Sequence, residues 1–314
     1  MPDATTSSLT TVNVLWVIPA AVLLLGFAWA AASLDGFASA RSEGRPHGAD
    51  RPLSEMSRLL RQRRRTTLES DEPLWRIGGG GLVVVALLMV LVVPLGEWTL
   101  FDLPVGVVWF NAMDVCVWGL VWLLGWGANS THALVGGYRF LAHALGYELP
   151  LMFALTAPAV AAGSLRLGDV AAAQDGLWFI VWMPVAFLVY AIGVLGFSVW
   201  GPFAAAPGAD LAGGVTAELS GLDRLLVAAG RHTLLAAGAA FAVPMFLGGG
   251  AGPVLPGWAW VLVKTAVVLA VLVLLRRRVP VLRPDLFLEI GWLWLLPAAI
   301  VQILVVSVVV VGRG

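Results

Sequence analysis

Long runs of apolar residues alternate with short polar segments along almost the whole chain. A helix needs about 20 apolar residues to cross a hydrocarbon core of about 30 Å, and in lipid its backbone groups must hydrogen-bond within the segment. We therefore predict an all-α integral membrane protein, a bundle of about eight transmembrane helices that forms a single transmembrane domain over residues 1–314. The predicted spans are residues 12–34, 79–96, 105–125, 147–163, 177–199, 233–248, 257–275 and 291–311.

The longest polar segment, residues 35–78, contains a second apolar pattern. Four apolar residues recur in it at helical spacing, namely Leu53, Met56, Leu59 and Leu60. Arginines between residues 58 and 65 gather on the other side, a pattern typical of an amphipathic helix in the membrane interface. Two functions fit such a helix in a cytoplasmic loop: an anchor held by anionic lipid, or a lid over the entrance of a lipid-soluble substrate.

The composition excludes several classes of protein. With 60% hydrophobic residues, 12% charged residues and a mean hydropathy of +0.90, the chain is far more apolar than a soluble protein. Its 19 basic and 19 acidic residues cancel, which argues against a nucleic-acid partner. Placing both termini outside the cytoplasm puts most basic residues in cytoplasmic loops, as the positive-inside rule requires. We therefore expect a multi-pass protein of the bacterial plasma membrane (the cell membrane) with both termini non-cytoplasmic.

Three ionisable residues fall within or at the edge of predicted spans: Asp114, Glu148 and Lys264. Charged groups in a membrane are costly and usually functional, so a proton relay is the natural hypothesis. Local pairing is the alternative, in which Asp114 hydrogen-bonds a neighbouring helix and Lys264 pairs with a carboxylate. A single cysteine excludes a Cys-ligated iron–sulfur or zinc centre within the chain, and we expect no metal site.

Seven strings of sequence resemble those of one known family. They are GWGANSTHALVGGYRF at 125–140, YELP at 147–150, GSLRLGDV at 163–170, ELSG at 218–221, FLGGGAGPVLP at 246–256, WVLVKTAVVL at 260–269 and RRRVPVLRPDLFLEIGWLWLLP at 276–297. In this order they resemble the strings of the H-type membrane subunit of the complex I type NADH-quinone oxidoreductases. The resemblance covers about residues 75–311 and itself implies a bundle of eight transmembrane helices.

The resemblance implies a function within an enzyme complex. A member of this family lines a quinone-access cavity and couples quinone reduction to proton translocation, and it is not active alone. No cofactor is then expected on this chain: quinone is the substrate, while NADH, FMN and iron–sulfur clusters belong to partner subunits. The implied partners are the other membrane and peripheral subunits of a complex I-like assembly and membrane lipid.

The family's motifs, together with the acids in the spans, give two sets of candidate residues and no catalytic residue or metal ligand. The proton-path candidates are Glu148, Asp114, Asp169, Lys264, Asp210 and Glu218, with Glu148 the strongest. The quinone-cavity candidates are Arg45, Pro202, Phe203, Arg139, Arg276, Arg283 and Asp285.

The chain departs from the family in a cytoplasmic loop predicted at residues 200–232. The string FSVWGPFAAAPGAD at 197–210 stands where the family carries E-T-N-R-x-P-F-D and further acidic residues. Phe197, Trp200 and Ala204 replace a Glu, an Arg and an Asp, and Arg231 replaces another Glu. We interpret this segment as a degenerate quinone-side loop, and Asp114 as a candidate for a relocated carboxylate.

Other functions fit the same spans. One is the homologous membrane subunit of an energy-converting hydrogenase or formate hydrogenlyase. Another is a proton-coupled transporter that uses Asp114, Glu148 and Lys264, although the two halves of the chain lack the internal repeat that is common in transporters. The loss of the acidic loop also fits a purely structural anchor for a peripheral complex.

Overall fold

The computed structural model describes residues 9–45, 48–208, 212–276 and 278–313. Its helices are α1 (Val17–Ser42), α2 (Arg51–Arg61), α3 (Glu72–Val90), α4 (Gly106–Gly127), α5 (Thr131–Ala162), α6 (Leu167–Ala172), α7 (Phe179–Trp182), α8 (Pro184–Phe197), α9 (Gly221–Phe246), α10 (Gly257–Leu275), α11 (Pro284–Ile290) and α12 (Leu296–Arg313). Within the described residues, eight helical segments are long and apolar enough to cross a membrane. The predicted bundle of eight spans is confirmed.

The eighth span is continuous although it contains more than one helical type. A π-helical segment, Gly291–Leu295, joins α11 to α12, so the span runs over Pro284–Gly312. The described residues also contain one departure from an all-helical chain, a parallel pair of two-residue strands. These strands are β1 (Thr10–Thr11) and β2 (Trp98–Thr99), and they attach the segment before α1 to the segment before α4.

Several helices extend beyond the spans that hydropathy predicted. Helix α5 begins at Thr131 rather than at 147, and α9 begins at Gly221 rather than at 233. The predicted loop 35–78 likewise overlaps the last residues of α1 and the first residues of α3. Hydropathy detects only the part of a helix that lies in hydrocarbon. At 1.5 Å per residue, α5 is about 48 Å long, which spans the headgroup regions as well as the core.

The two ends of the bundle differ in charge. One end, called the basic end here, carries α2, residues 198–208 and 212–220, and residues 276 and 278–283. These segments contact one another: Arg64 after α2 forms an ion pair with Asp223 of α9, and the Leu282 amide donates to the carbonyl of Pro202 over 2.7 Å. The opposite end carries β1, β2 and the loop that connects α9 to α10.

The amphipathic helix predicted in the first loop is α2. Of its apolar residues, Leu59 is buried against the bundle, whereas Leu53 and Leu60 are exposed. The segment after α2 is fixed to the start of α9, because the Ser220 hydroxyl accepts from the Arg65 amide over 2.7 Å. The hydrogen bonds to Asp223 also raise the pKa of the Arg64 guanidinium. Helix α2 is therefore fastened at its end and presents two leucines outward.

Helices α5 and α9 form the centre of the bundle, and α1 and the eighth span lie at its edge. In the most apolar 18-residue stretch of α5 and of α9, more than half of the residues are buried inside the protein. In the same stretch of α1 and of the eighth span, the buried share is 17%. Glycines permit the closest approaches: a Cβ on Gly136 of α5 would lie 2.4 Å from the amide nitrogen of Val215. The loop at the basic end can therefore rest directly on α5.

Candidate functional site

Two carboxyl groups face each other in the middle of the bundle. Asp114 of α4 is fully buried, Glu148 of α5 is 9% exposed, and the two groups interact electrostatically. Asn111 lies one helical turn before Asp114 and donates from Nδ2 to Oε1 of Glu148 over 3.1 Å. Because residues three apart share a helix face, α4 presents both of its polar side chains to Glu148.

The pair lacks a compensating charge among the described residues. No described basic side chain forms an ion pair with either acid, and no described donor hydrogen-bonds to either oxygen of Asp114 or to Oε2 of Glu148. The buried hydroxyl of Tyr147 faces Asp114 without forming a hydrogen bond of ordinary geometry. Two facing carboxylates without a counter-ion are too costly in a low-dielectric interior. Within the described residues, the pair is therefore an acidic site without a counter-ion.

Aromatic rings fill the core beside this pair. Phe110 of α4 stacks on Phe241 of α9 at 3.7 Å between ring centroids, and the ring of Phe197 meets Phe110 edge-on at 6.0 Å. Phe197, which the sequence resemblance aligns with a Glu of the family, is fully buried. Its ring packs on the same helix that carries Asp114.

An arginine cluster lies at the basic end, around Trp200. The guanidinium carbons of Arg276 and Arg231 lie 4.8 Å and 5.7 Å from the centroid of this indole ring. Arg276 also donates to Asp35 of α1 over 2.7 Å, and Arg231 donates to the carbonyl of Val199. Each contact with the ring is a cation–π interaction. The cluster joins α1, α9 and the end of α10 to the loop that follows α8.

Lys264 lies near the opposite end, where its ammonium is fully hydrogen-bonded. Its three protons match three backbone carbonyls of the loop after α9: Nζ donates to Leu247 over 2.6 Å, to Gly249 over 2.9 Å and to Ala251 over 2.7 Å. The face of Trp178 lies 4.2 Å from Nζ. The alternative in which Lys264 pairs with a carboxylate is therefore wrong, because carbonyl oxygens are its acceptors.

The family described as NADH dehydrogenase matches residues 11–307 of the chain. The chain belongs to this family. The NADH-quinone oxidoreductase H subunit numbered 1 of Geobacter metallireducens is 34% identical over 281 residues, which cover 85% of each chain. The H subunit numbered 2 of Cereibacter sphaeroides is 37% identical over 216 residues, or 68% of each chain. The H subunit numbered 2 of Rhodopseudomonas palustris is 28% identical over 309 residues, or 97% of each.

Membership of this family confirms the resemblance of the seven strings and a multi-pass membrane protein. Several of these strings serve contacts between helices. In the GWLWLLP string, a Cβ on Gly291 would lie 2.2 Å from the carbonyl oxygen of Gly146, which precedes the YELP string. The glycines thus allow the eighth span to touch α5, two residues before Glu148.

The candidates inferred from the family do not form one site. Pro202 and Phe203 lie in a buried turn, where the ring of Phe203 contacts His143 at 5.3 Å and Phe287 at 4.5 Å. Arg283 and Asp285 pair with each other on the surface, and the exposed Arg45 lies 3.4 Å from Glu43.

The remaining candidates that the structure describes lie apart from the carboxyl pair. Asp169 accepts from Ser164 over 2.8 Å near the opposite end, and Glu218 accepts from Ser130 over 3.0 Å at the basic end. Arg139 is a half-buried residue of α5, and Asp210 lies outside the described residues. The structure therefore unites only Asp114 and Glu148 among the proton-path candidates that it describes.

The sequence did not predict three residues that take part in these contacts: Asn111, Tyr147 and Asp35. The spacing of Asn111 to Asp114 could have indicated the first, because both fall on one face of the third predicted span. Tyr147 is adjacent to Glu148 in sequence, but only the packing of α4 on α5 directs its ring toward Asp114. Asp35 acquires its role through Arg276, which is remote in sequence.

Proposed function

We propose that this chain serves as the H-type membrane subunit of a proton-translocating NADH-quinone oxidoreductase. In this proposal the basic end faces the cytoplasm, both termini are non-cytoplasmic, and peripheral subunits dock on the basic end. Quinone is the substrate, and NADH, FMN and iron–sulfur clusters are held by partner subunits. Support comes from family membership and from the concentration of arginines at one end, which fits the positive-inside rule.

We further propose that quinone enters at the basic end, between α1, α2 and the degenerate loop. Helix α2 presents Leu53 and Leu60 beside this region, as an interfacial element along the route of a lipid-soluble substrate would. The cluster of Trp200, Arg231 and Arg276 supplies cations and an aromatic face at the same end. Such groups can orient a quinone carbonyl, although two of the acids that the resemblance implies at this end are replaced by apolar residues, Phe197 and Ala204.

The main support for a role in proton translocation is one observation, the pair of Asp114 and Glu148 without a compensating charge among the described residues. A charge arriving nearby, through quinone reduction or a moving neighbour, changes which of the two holds the proton. The pair can therefore take a proton from one side and give it to the other. Its neighbours Asn111 and Tyr147 are polar groups through which a water chain can continue.

The test is the Glu148→Gln variant in the native assembly, reconstituted in vesicles. We expect NADH-dependent quinone reduction to continue at a reduced rate while proton translocation falls by about tenfold or more. The matched control is Glu97→Gln, which removes an exposed carboxyl between α3 and α4. Wild-type proton translocation in an assembled Glu148→Gln complex would overturn the proposed role of the pair.

A further inference from the structure

An apolar cavity of about 580 Å³ lies between α1, α3, α9 and α10 at the opposite end of the bundle. Its volume is in the range of pockets that hold small molecules. Of the residues that line it, only Thr99 and Thr265 have hydroxyl side chains, and none is charged. An occupant is therefore recognised by its hydrocarbon part.

Small residues create this space. Ala236 and Ala240 lie one turn apart on α9 and turn the same face toward the cavity, while Ala20 lines it from α1. Larger side chains at these positions would close the gap, as they do elsewhere along α9, where Phe241 and Phe246 fill the core. The cavity thus follows from the sequence of two facing helices.

The cavity has the depth of one membrane leaflet. Its wall on α1 runs from Trp16 to Phe27, a rise of about 16 Å at 1.5 Å per residue. Half of a hydrocarbon core of about 30 Å is about 15 Å. Three exposed tryptophans stand at its outer rim, Trp16, Trp98 and Trp258. Tryptophan prefers the interface between hydrocarbon and headgroups, so the rim marks the level of the headgroups.

We propose that this cavity binds an acyl chain of a phospholipid from the leaflet at the opposite end. The chain enters between the tryptophans and extends along α1 to the level of Phe27, with the headgroup outside. The site is separate from the proposed quinone-access cavity, which lies at the other end of the bundle. A lipid held there fills the space beneath β1 and β2, and so supports α1, which lies at the edge of the bundle.

The first experiment uses the wild-type assembly in vesicles that contain phosphatidylcholine with a diazirine at the end of one acyl chain. After irradiation and digestion, we expect covalent labelling near Phe27 and on the α9 peptide that contains Ala236 and Ala240. A second sample replaces this lipid by a polyisoprenoid chain that carries the same diazirine. The proposal would be overturned if the isoprenoid labelled these residues preferentially, or if a partner subunit were found attached to them. An unlabelled α9 peptide would also overturn it.

The second experiment fills the cavity by Ala240→Leu, with Ala30→Leu on the exposed face of α1 as the matched control. We expect the first variant to lose at least half of the labelling on α9 and one tightly bound phospholipid per complex, counted by native mass spectrometry. The control should keep both. Ala20→Leu, which fills the cavity from the facing helix, replaces the first variant if that variant does not assemble. Unchanged lipid retention in a cavity-filling variant would contradict the proposal.

Discussion

Lys264 and Asp114 are both ionisable residues buried in transmembrane helices, yet their surroundings differ. The ammonium of Lys264 has one carbonyl acceptor for each of its three protons and an aromatic face beside it. The carboxyl of Asp114 faces another acid and receives no hydrogen bond from the described residues. A fully bonded group resists any change of charge, whereas an uncompensated pair is poised for one.

Lys264 thus has a structural environment, whereas Asp114 belongs to the pair that we propose to carry protons. Gln174 extends the structural site: its side chain donates to Val170 and Pro244 and accepts from the amides of Phe179 and Gly248. Both polar side chains thus fix the loops at the opposite end. The acids in the centre, by contrast, lie between α4 and α5 and fix no loop.

The largest expected effect comes from removing either acid of the pair. Because the two carboxyl groups act as a unit, Asp114→Asn should reduce proton translocation by about tenfold or more, as Glu148→Gln does. The double variant should lose little beyond either single variant, since groups that act together are not additive. The measurement is proton translocation per quinone reduced in vesicles. If the losses of proton translocation in the two single variants added up in the double variant, the two acids would be separate sites. The contrast between an acid pair and the fully bonded Lys264 would then fail.

The next effect concerns Lys264. The Lys264→Met variant keeps most of the length of the side chain but leaves three buried carbonyls without this donor, so we expect the assembly to lose about 2–4 kcal/mol of stability. Thermal unfolding in detergent measures this loss. In the Lys264→Ala variant, millimolar methylammonium should restore part of the lost stability, because a free cation that binds only the folded state stabilises that state.

The Lys264→Met variant also tests whether the lysine belongs to the proton path. Complexes of Lys264→Met that do assemble should translocate protons at the wild-type ratio to quinone reduced, since the carboxyl pair is intact. A stable Lys264→Met complex that reduces quinone but does not translocate protons would place Lys264 in the path. That result would also remove the distinction between the two sites.

Parts of this distinction could be predicted from sequence, and others could not. The eight spans and the mid-span acid Asp114 follow directly from hydropathy, because a charge stands out in an apolar run. The acceptors of Lys264 are backbone carbonyls, which carry no mark in the sequence and are brought together by the turn at Gly248 and Gly249, both with positive φ. The start of α5 was missed because its first turns are too polar to be recognised as membrane-spanning.

A smaller effect is expected at Gly136, where the loop of the basic end rests on α5. A Cβ in Gly136→Ala would overlap the backbone of Val215, so the loop must move and the protein should lose about 1–3 kcal/mol. Hydrogen exchange should rise at residues 212–220 but remain unchanged at Lys264. The control is Gly80→Ala, because a Cβ there meets no atom within 4 Å. Equal protection of the loop in both variants would show that the close approach is unimportant.

The smallest effect is expected for Arg276→Gln, which removes the ion pair with Asp35 and one cation from the face of Trp200. The side chain of Arg276 is 40% exposed, so solvent screens the pair and the loss of stability should remain below about 1 kcal/mol. High salt should reduce the difference further.

The quinone KM of the assembly is the more sensitive measurement for Arg276→Gln, because Arg276 belongs to the proposed quinone-access cavity. We expect KM to rise severalfold with little change in protons translocated per quinone, since the carboxyl pair is untouched. A change in that ratio without a change in KM would mean that the arginine cluster acts on the pair rather than on the substrate.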